Sequence, residues 1–348
     1  MNRGILYGLG SAALFGVSTP LAKVLVGSVP PLWLAALLYL GAGFGLLVVL
    51  AARRLFGSNE PLALPTGKDW RWIGGAIALG GIAGPVALMY GLREMSGASA
   101  SLLLNLESVL TALLAWFLFK ENVDRRIALG MLAIVLGAIV LAAAPGASET
   151  SMLGSALVAL ACLCWALDNN LTRKASASDA VFLASFKGLV AGVVNGGLAL
   201  LLGIAVPSIP SIAGAAIVGF LGYGVSLVLF ILALRHLGTA RTGAYFSVAP
   251  FFGALVAVLI GQDTVTWYLA SAGALMGLGV WLHVSEHHAH EHRHDPLEHT
   301  HSHAHDEHHR HQHTSAWNGQ EPHIHPHFHP GLIHSHPHYP DVHHRHAH

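Results

Sequence analysis

Ten long apolar stretches constrain this chain more than any other feature. They fall at 4–26, 31–52, 72–92, 97–118, 126–143, 153–174, 181–203, 211–235, 239–260 and 266–284. Each is near the roughly 20 residues that an α-helix needs to cross a bilayer. Within hydrocarbon the backbone must satisfy its own polar groups, which leaves a helix bundle as the expected fold for such a series. Composition agrees. Only 10% of the residues are Asp, Glu, Lys or Arg, against about 25% in an average soluble domain. The first stretch runs on through Pro20 to Lys23, longer than the apolar core of a cleaved signal peptide, so it is read as a membrane helix. Cys162 and Cys164 lie two apart in an apolar segment. On a helix they point to different sides, so they are expected to be packing residues rather than a disulfide or ligand pair.

The chain is two objects. All but His236 and His283 of its 26 His lie in 287–348. That segment holds three Arg and seven acidic residues, whereas 1–286 holds 15 basic and 11 acidic residues. A net charge of zero therefore hides a basic apolar body and an acidic, His-rich tail.

Loop charge orients the body, because Lys and Arg accumulate on the cytoplasmic side. With the N-terminus inside, twelve basic residues fall on inside loops and ends, among them Arg53, Arg54, Lys120, Arg125, Arg126, Arg173 and Lys174, while only Lys23 and Arg93 fall outside. Both termini are expected to be cytoplasmic, in a multi-pass protein of the plasma (inner) membrane.

The body repeats itself. At an offset of 142, Gly91-Leu92-Arg93-Glu94-Met95 meets Ala233-Leu234-Arg235-His236-Leu237, Glu121-Asn122-Val123 meets Asp263-Thr264-Val265, and Gly137 meets Gly279. At an offset of 150, Leu14-Phe15-Gly16 meets Cys164-Trp165-Ala166 and Leu21-Ala22-Lys23 meets Leu171-Thr172-Arg173. Halves at 1–145 and 146–286 would carry five spans each. Five is odd, so the second half enters the membrane upside down, an architecture of transporters with the solute site between the halves. The expected fold is all-α: ten transmembrane helices as two inverted five-helix repeats, followed by a disordered tail.

The run Ala98-Ser99-Ala100-Ser101 through Leu113-Leu114-Ala115-Trp116-Phe117-Leu118-Phe119-Lys120-Glu121, followed by Gly130 and Gly137, resembles helices 4–5 of the EamA-type half in the drug/metabolite transporter superfamily. Leu14-Phe15-Gly16-Val17-Ser18-Thr19-Pro20 resembles the family's first helix, and Thr239 through Pro250 to Asp263 resembles the matching part of the second half. The resemblance covers about 1–284 and implies carriage of small solutes, often outward, without fixing the solute. Glu107 departs from it: it aligns with Ala249, where many relatives have an apolar or Pro-containing run.

An ionisable group at bilayer depth is costly and is a functional candidate by default. Glu107, Asp168 and Lys187 are such groups, and all three should face a cavity or pair with one another. Burial raises a carboxylate pKa and a nearby Lys lowers it, so a carboxylate here could couple proton movement to solute movement. A static salt bridge that fixes helix packing is the competing reading. Lys187 could instead snorkel to the interface from the cytoplasmic end of its helix. Ser18 and Thr19 fall on Asp168 and Asn169 at the 150 offset, and with Asn105, Asn195, Tyr223 and Ser226 they form a neutral tier, for which helix-to-helix hydrogen bonding is the plainer role. Gly84-Pro85 should interrupt the third helix; Gly222 and Gly224 should weaken the eighth.

Residues 287–348 lack apolar periodicity and are expected to be disordered. His299, His301, His303, His305, His308, His309, His311 and His313 are the candidate metal ligands. Neutral imidazole suits Zn, Ni, Co and Cu, and irregular spacing favours several labile sites over one structural centre. No resident cofactor is required. No nucleophile–base or metal-hydrolase motif stands out, so no enzyme is expected, and nothing points to nucleic acid. The partners expected are the lipid bilayer and a small-molecule or metal-ion substrate. The favoured function is a permease or exporter linked to divalent transition metals through the tail; the alternatives are an exporter of an organic metabolite or amino acid with a metal-buffering tail and, of another class, a membrane metal sensor that transports nothing.

Overall fold

The structure, a computed structural model, describes residues 3–56, 64–119, 125–143, 149–173, 178–261, 263–284, 289–294, 297–303, 323–329 and 332–337. The body, Met1–Glu286, and the tail, His287–His348, are separate compact units.

The described body is all helical. Its elements are α1 (Arg3–Val26), α2 (Pro31–Phe56), α3 (Asp69–Glu94), α4 (Gly97–Leu103 continued by Leu106–Phe119), α5 (Arg125–Ala142), α6 (Glu149–Arg173), α7 (Ala180–Leu201), α8 (Ile209–Gly219 continued by Phe220–Val225 and Ser226–Phe246), α9 (Ala249–Leu259) and α10 (Trp267–Val284). Eight helices are long and apolar enough to cross a membrane, and α9 and α10 contribute two shorter apolar helices. Large apolar side chains cover the outside: Leu201 is 85% exposed and Phe117 70%. A soluble protein does not present such a surface to water, so lipid is the solvent of this face. Cys162 and Cys164 are buried free thiols, as expected.

Two termini show how local sequence sets helix ends. Between α3 and α4, Met95 is extended and the Ser96 hydroxyl accepts the Ser99 N–H at 3.2 Å, an N-cap that starts α4. The Asp263 carboxylate, from the loop before α10, accepts the Ala98 N–H at 2.7 Å and completes that cap. At the 142 offset Ser96 becomes Gly238, which has no side chain to cap with. There the expected break between spans eight and nine (235–239) is absent: α8 runs on to Phe246, and the chain turns only at Ser247–Val248. The same offset puts that turn within one residue of the break inside α4, at Leu104–Asn105.

Within the body α2 packs on α7, α5 on α10, α1 on α8 and α9, α3 on α6, and α4 on α6 and α9.

The tail, expected to be disordered, has described segments at 289–294, 297–303, 323–329 and 332–337. It carries β1 (Ala289–His294), β2 (Leu297–His303), β3 (His323–His329) and β4 (Leu332–Pro337), with β1 antiparallel to β4 and β2 antiparallel to β3. Alternation of His with other residues has period two, which is the period of a strand. Pro326 is tolerated in β3 because both strands of a two-stranded ribbon are edges.

Candidate functional site

A proline sets the geometry of α3. Pro85 has no N–H to donate, and the turn before it widens into a π segment, Ile77–Ala83. The Gly84 N–H reaches back five residues to the Leu79 carbonyl. In that register the Gly80 carbonyl faces Pro85 and gains no backbone donor. The Tyr39 hydroxyl donates to it at 2.7 Å and the Trp165 indole N–H at 3.0 Å. The Gly81 carbonyl, whose α-helical donor would also be Pro85, accepts from Asn195 Nδ2 at 3.2 Å. Side chains from α2, α6 and α7 thus converge on one turn of α3, as a membrane helix with freed carbonyls requires. The expected interruption at Gly84-Pro85 is present, displaced by one turn.

Asp168 sits against this turn. A methyl group at Gly80 would overlap its carboxylate. Asp168 Oδ1 accepts from Lys187 Nζ at 2.6 Å and from the Thr172 hydroxyl at 2.8 Å, and the Thr172 oxygen accepts from Lys187 at 3.1 Å. Asp168 lies five residues before the end of α6 and Lys187 seven after the start of α7. At 1.5 Å per residue both are roughly 8–10 Å from the same end of the bundle. Lys187 therefore pairs with Asp168, and the snorkelling reading does not hold.

Glu107 takes another partner. Its Oε1 accepts from Asn169 Nδ2 at 2.8 Å. Glu107 is half-buried and Asn169 exposed, so this bond borders accessible space rather than packed core. Ten residues separate Glu107 from Gly97 at the start of α4, about 15 Å of helix, the middle of a ~30 Å hydrocarbon core.

The other half repeats the backbone device without the charge. A second π segment, Phe220–Val225, interrupts α8, and the 142 offset that relates the halves aligns Gly80 with Gly222. A methyl at Gly222 would overlap the Ser18 side chain. Ser18, which the 150 offset places opposite Asp168, is buried, donates to the Phe15 carbonyl of its own helix at 2.6 Å and also lies in hydrogen-bond reach of the Tyr223 hydroxyl across the helix contact. Nearby, Ser11 and Ser226 exchange bonds: Ser11 Oγ donates to the Ser226 carbonyl at 2.7 Å and Ser226 Oγ to the Ser11 carbonyl at 3.0 Å.

An aromatic cluster joins the two regions. Phe15 meets Trp165, Tyr223 and Phe246 with ring centroids 6.1, 5.7 and 5.4 Å apart, and Tyr39 meets Tyr223 at 5.5 Å. Tyr223 is half-buried. Asn105 is buried at the break in α4: Nδ2 donates to the Leu102 carbonyl at 3.0 Å, and Oδ1 has no partner. Thr19 is buried. Tyr39, Gly80, Trp165 and Thr172 were not singled out by sequence reasoning. The 142 offset, which aligns Gly80 with Gly222, was the available signal for the turn on which they converge.

Among the described side chains, no three His, Cys, Asp or Glu gather as a metal site. Of the tail candidates, His299, His301 and His303 lie on β2; His305, His308, His309, His311 and His313 fall outside the described residues. A groove of about 540 Å³ between α2 and α8 is lined by apolar residues such as Leu37, Phe44, Ile217 and Leu221. It suits an acyl chain rather than a polar solute.

Comparison with known proteins agrees with this picture. The model of the EamA-like transporter family matches twice, over residues 2–143 and 152–285. A protein of Methanothermobacter thermautotrophicus described as an uncharacterized transporter is 28% identical over 286 residues, covering 77% of this chain and 82% of that one. A solved crystal structure, 21% identical, superposes with a TM-score of 0.61 over 80% of this chain and 95% of the other, a likeness of fold. The chain belongs to the EamA-like transporter family, and is a multi-pass membrane protein that carries small solutes by secondary transport rather than an enzyme.

Proposed function

We propose that the chain is an alternating-access carrier of a small organic solute, built from two inverted five-helix halves, with both termini in the cytoplasm. Support for inversion comes from the paired features at one offset: two π segments, two close-packed glycines and two helix breaks. The observation that carries the site is the Glu107–Asn169 bond at mid-helix depth beside the Asp168–Lys187–Thr172 cluster. A half-buried carboxylate at that depth is the natural proton or cation acceptor, and the aromatic cluster offers apolar surface to an organic solute. In this reading Glu107, Asn169 and Tyr223 contact solute or coupling ion, Asp168 and Lys187 fix and sense the turn of α3, and Ser18, Thr19 and Asn105 hold helices together.

A second reading links transport to divalent transition metals, with Zn, Ni, Co or Cu captured by the tail and passed to the body. The favouring observation is the density of His in 287–348 beside intramembrane carboxylates. A sensor that transports nothing is the reading of another class. One experiment separates all three: a flux screen of organic solutes and divalent metals in proteoliposomes, with full-length protein and with 287–348 removed. The organic reading expects solute flux with selectivity unchanged by tail removal. Metal flux that depends on Glu107 or Asp168 would replace it with the second reading. No flux of either kind, with a metal-dependent change of partner, would leave the sensor.

A further inference from the structure

The two tail ribbons set His against His. In β2–β3 the register pairs His299 with His327, His301 with His325 and His303 with His323. In β1–β4 it pairs His290 with His336 and His292 with His334. Residues two apart on a strand share a face, and residues directly opposite across an antiparallel pair share it too. Each ribbon therefore carries a ladder of His rungs on one face. The other face of β2–β3 pairs Glu298 with Phe328, Thr300 with Pro326 and Ser302 with Ile324.

We propose that each ribbon is a binding site for a divalent transition-metal ion, formed by two adjacent His rungs. Opposite Cα atoms in an antiparallel pair are about 4.5–5.5 Å apart, and successive rungs about 7 Å apart along the strands. Two rungs thus place the Cα atoms of four His residues at the corners of a small rectangle, and four is the number of ligands that a tetrahedral Zn ion takes. Neutral imidazole selects Zn, Ni, Cu and Co over Mg or Ca. An isolated two-stranded ribbon is marginal in water, and β2 and β3 are separated by residues 304–322. An ion that bridges the rungs closes that loop and holds the register. The site stands on the tail alone and holds whichever solute the body carries.

Distance measurement between paired spin labels tests it, on the full chain in nanodiscs with Cys162 and Cys164 changed to Ala and Zn2+ as the probe. One label pair is in register, Ser302→Cys with Ile324→Cys; the other is four residues out, Ser302→Cys with Phe328→Cys. Both lie on the face opposite the rungs. Zn2+ should narrow both distributions and leave the in-register pair shorter by about 10 Å. Changing His301, His303, His323 and His325 to Gln should abolish that ordering. Changing the five loop residues His305, His308, His309, His311 and His313 to Gln should preserve it, although more imidazoles are lost. Equal distances for the two pairs, no response to Zn2+, or loss of ordering in the loop variant but not in the rung variant would overturn the proposal.

Discussion

The turn of α3 around Gly80 and the turn of α8 around Gly222 use the same backbone device for different ends. Both are π segments, and both pack a glycine against a helix from the other half. At Gly80 the neighbour is Asp168, paired with Lys187 and Thr172, and donors from three helices converge on the freed carbonyls. At Gly222 the neighbour is Ser18, a neutral hydroxyl shared between the Phe15 carbonyl of its own helix and Tyr223 of α8. A neutral hydrogen bond of this kind contributes about 0.5–1.5 kcal/mol net. A charge pair at that depth persists only while both partners are present. The difference teaches that the device is structural and the charge is the addition, so function should follow the charge.

The largest expected effect comes from removing one charge. Lys187→Met should leave Asp168 uncompensated and cost roughly 3–5 kcal/mol, read as a fall in Tm in detergent. Lys187→Met with Asp168→Leu should recover most of that loss, while flux stays low. If the single and double variants melt alike, the pair does not carry the asymmetry. Next come the glycines. Gly80→Ala and Gly222→Ala each overpack a tight contact at about 1–3 kcal/mol, with Gly80→Ala the worse because it also displaces the ion pair. Adding Ser18→Gly should rescue Gly222→Ala. Equal losses at both sites, or no rescue, would break the comparison.

A smaller effect tests the proline argument. Asn195→Leu should cost about 1 kcal/mol by leaving the Gly81 carbonyl unpaired. The cost should shrink when Pro85→Ala restores a backbone donor, a coupling that a double-mutant cycle measures directly. Ser18→Ala should be the mildest of all, about 0.5 kcal/mol, the low end for a neutral hydrogen bond, with flux intact; a large loss of flux there would shift function toward the Gly222 side.

Much of this was legible in the sequence, for physical reasons. Spans follow from apolar length, and the family from residues along both halves. Asp168, Lys187 and Glu107 stand out because charge is rare in hydrocarbon. Their pairing was not legible. Three ionisable groups on three helices allow several pairings, and the choice of Lys187 by Asp168 rests on matched depth from the α6–α7 end. The end of α8 was missed because a missing cap is a weak signal: Gly238 replaces Ser96, and the helix runs past it to Phe246. The π segments were missed because they keep the apolar pattern of an α-helix, although Pro85 and the Gly80–Gly222 alignment mark them. In the tail, His at every second residue is legible as the period of an extended chain, but which segments pair is not, because low apolar content sets no register.

The central claim is that the charged side of the bundle couples transport. The most direct measurement is proton-gradient-driven flux, in proteoliposomes, of a solute found in the screen, for Glu107→Gln beside Ser18→Ala. Gln at 107 retains an oxygen to accept from Asn169 and loses only the ionisable group. The account predicts that Glu107→Gln abolishes gradient-driven flux with Tm unchanged, while Ser18→Ala transports normally. Gradient-driven flux through Glu107→Gln equal to that of the unaltered chain would contradict it.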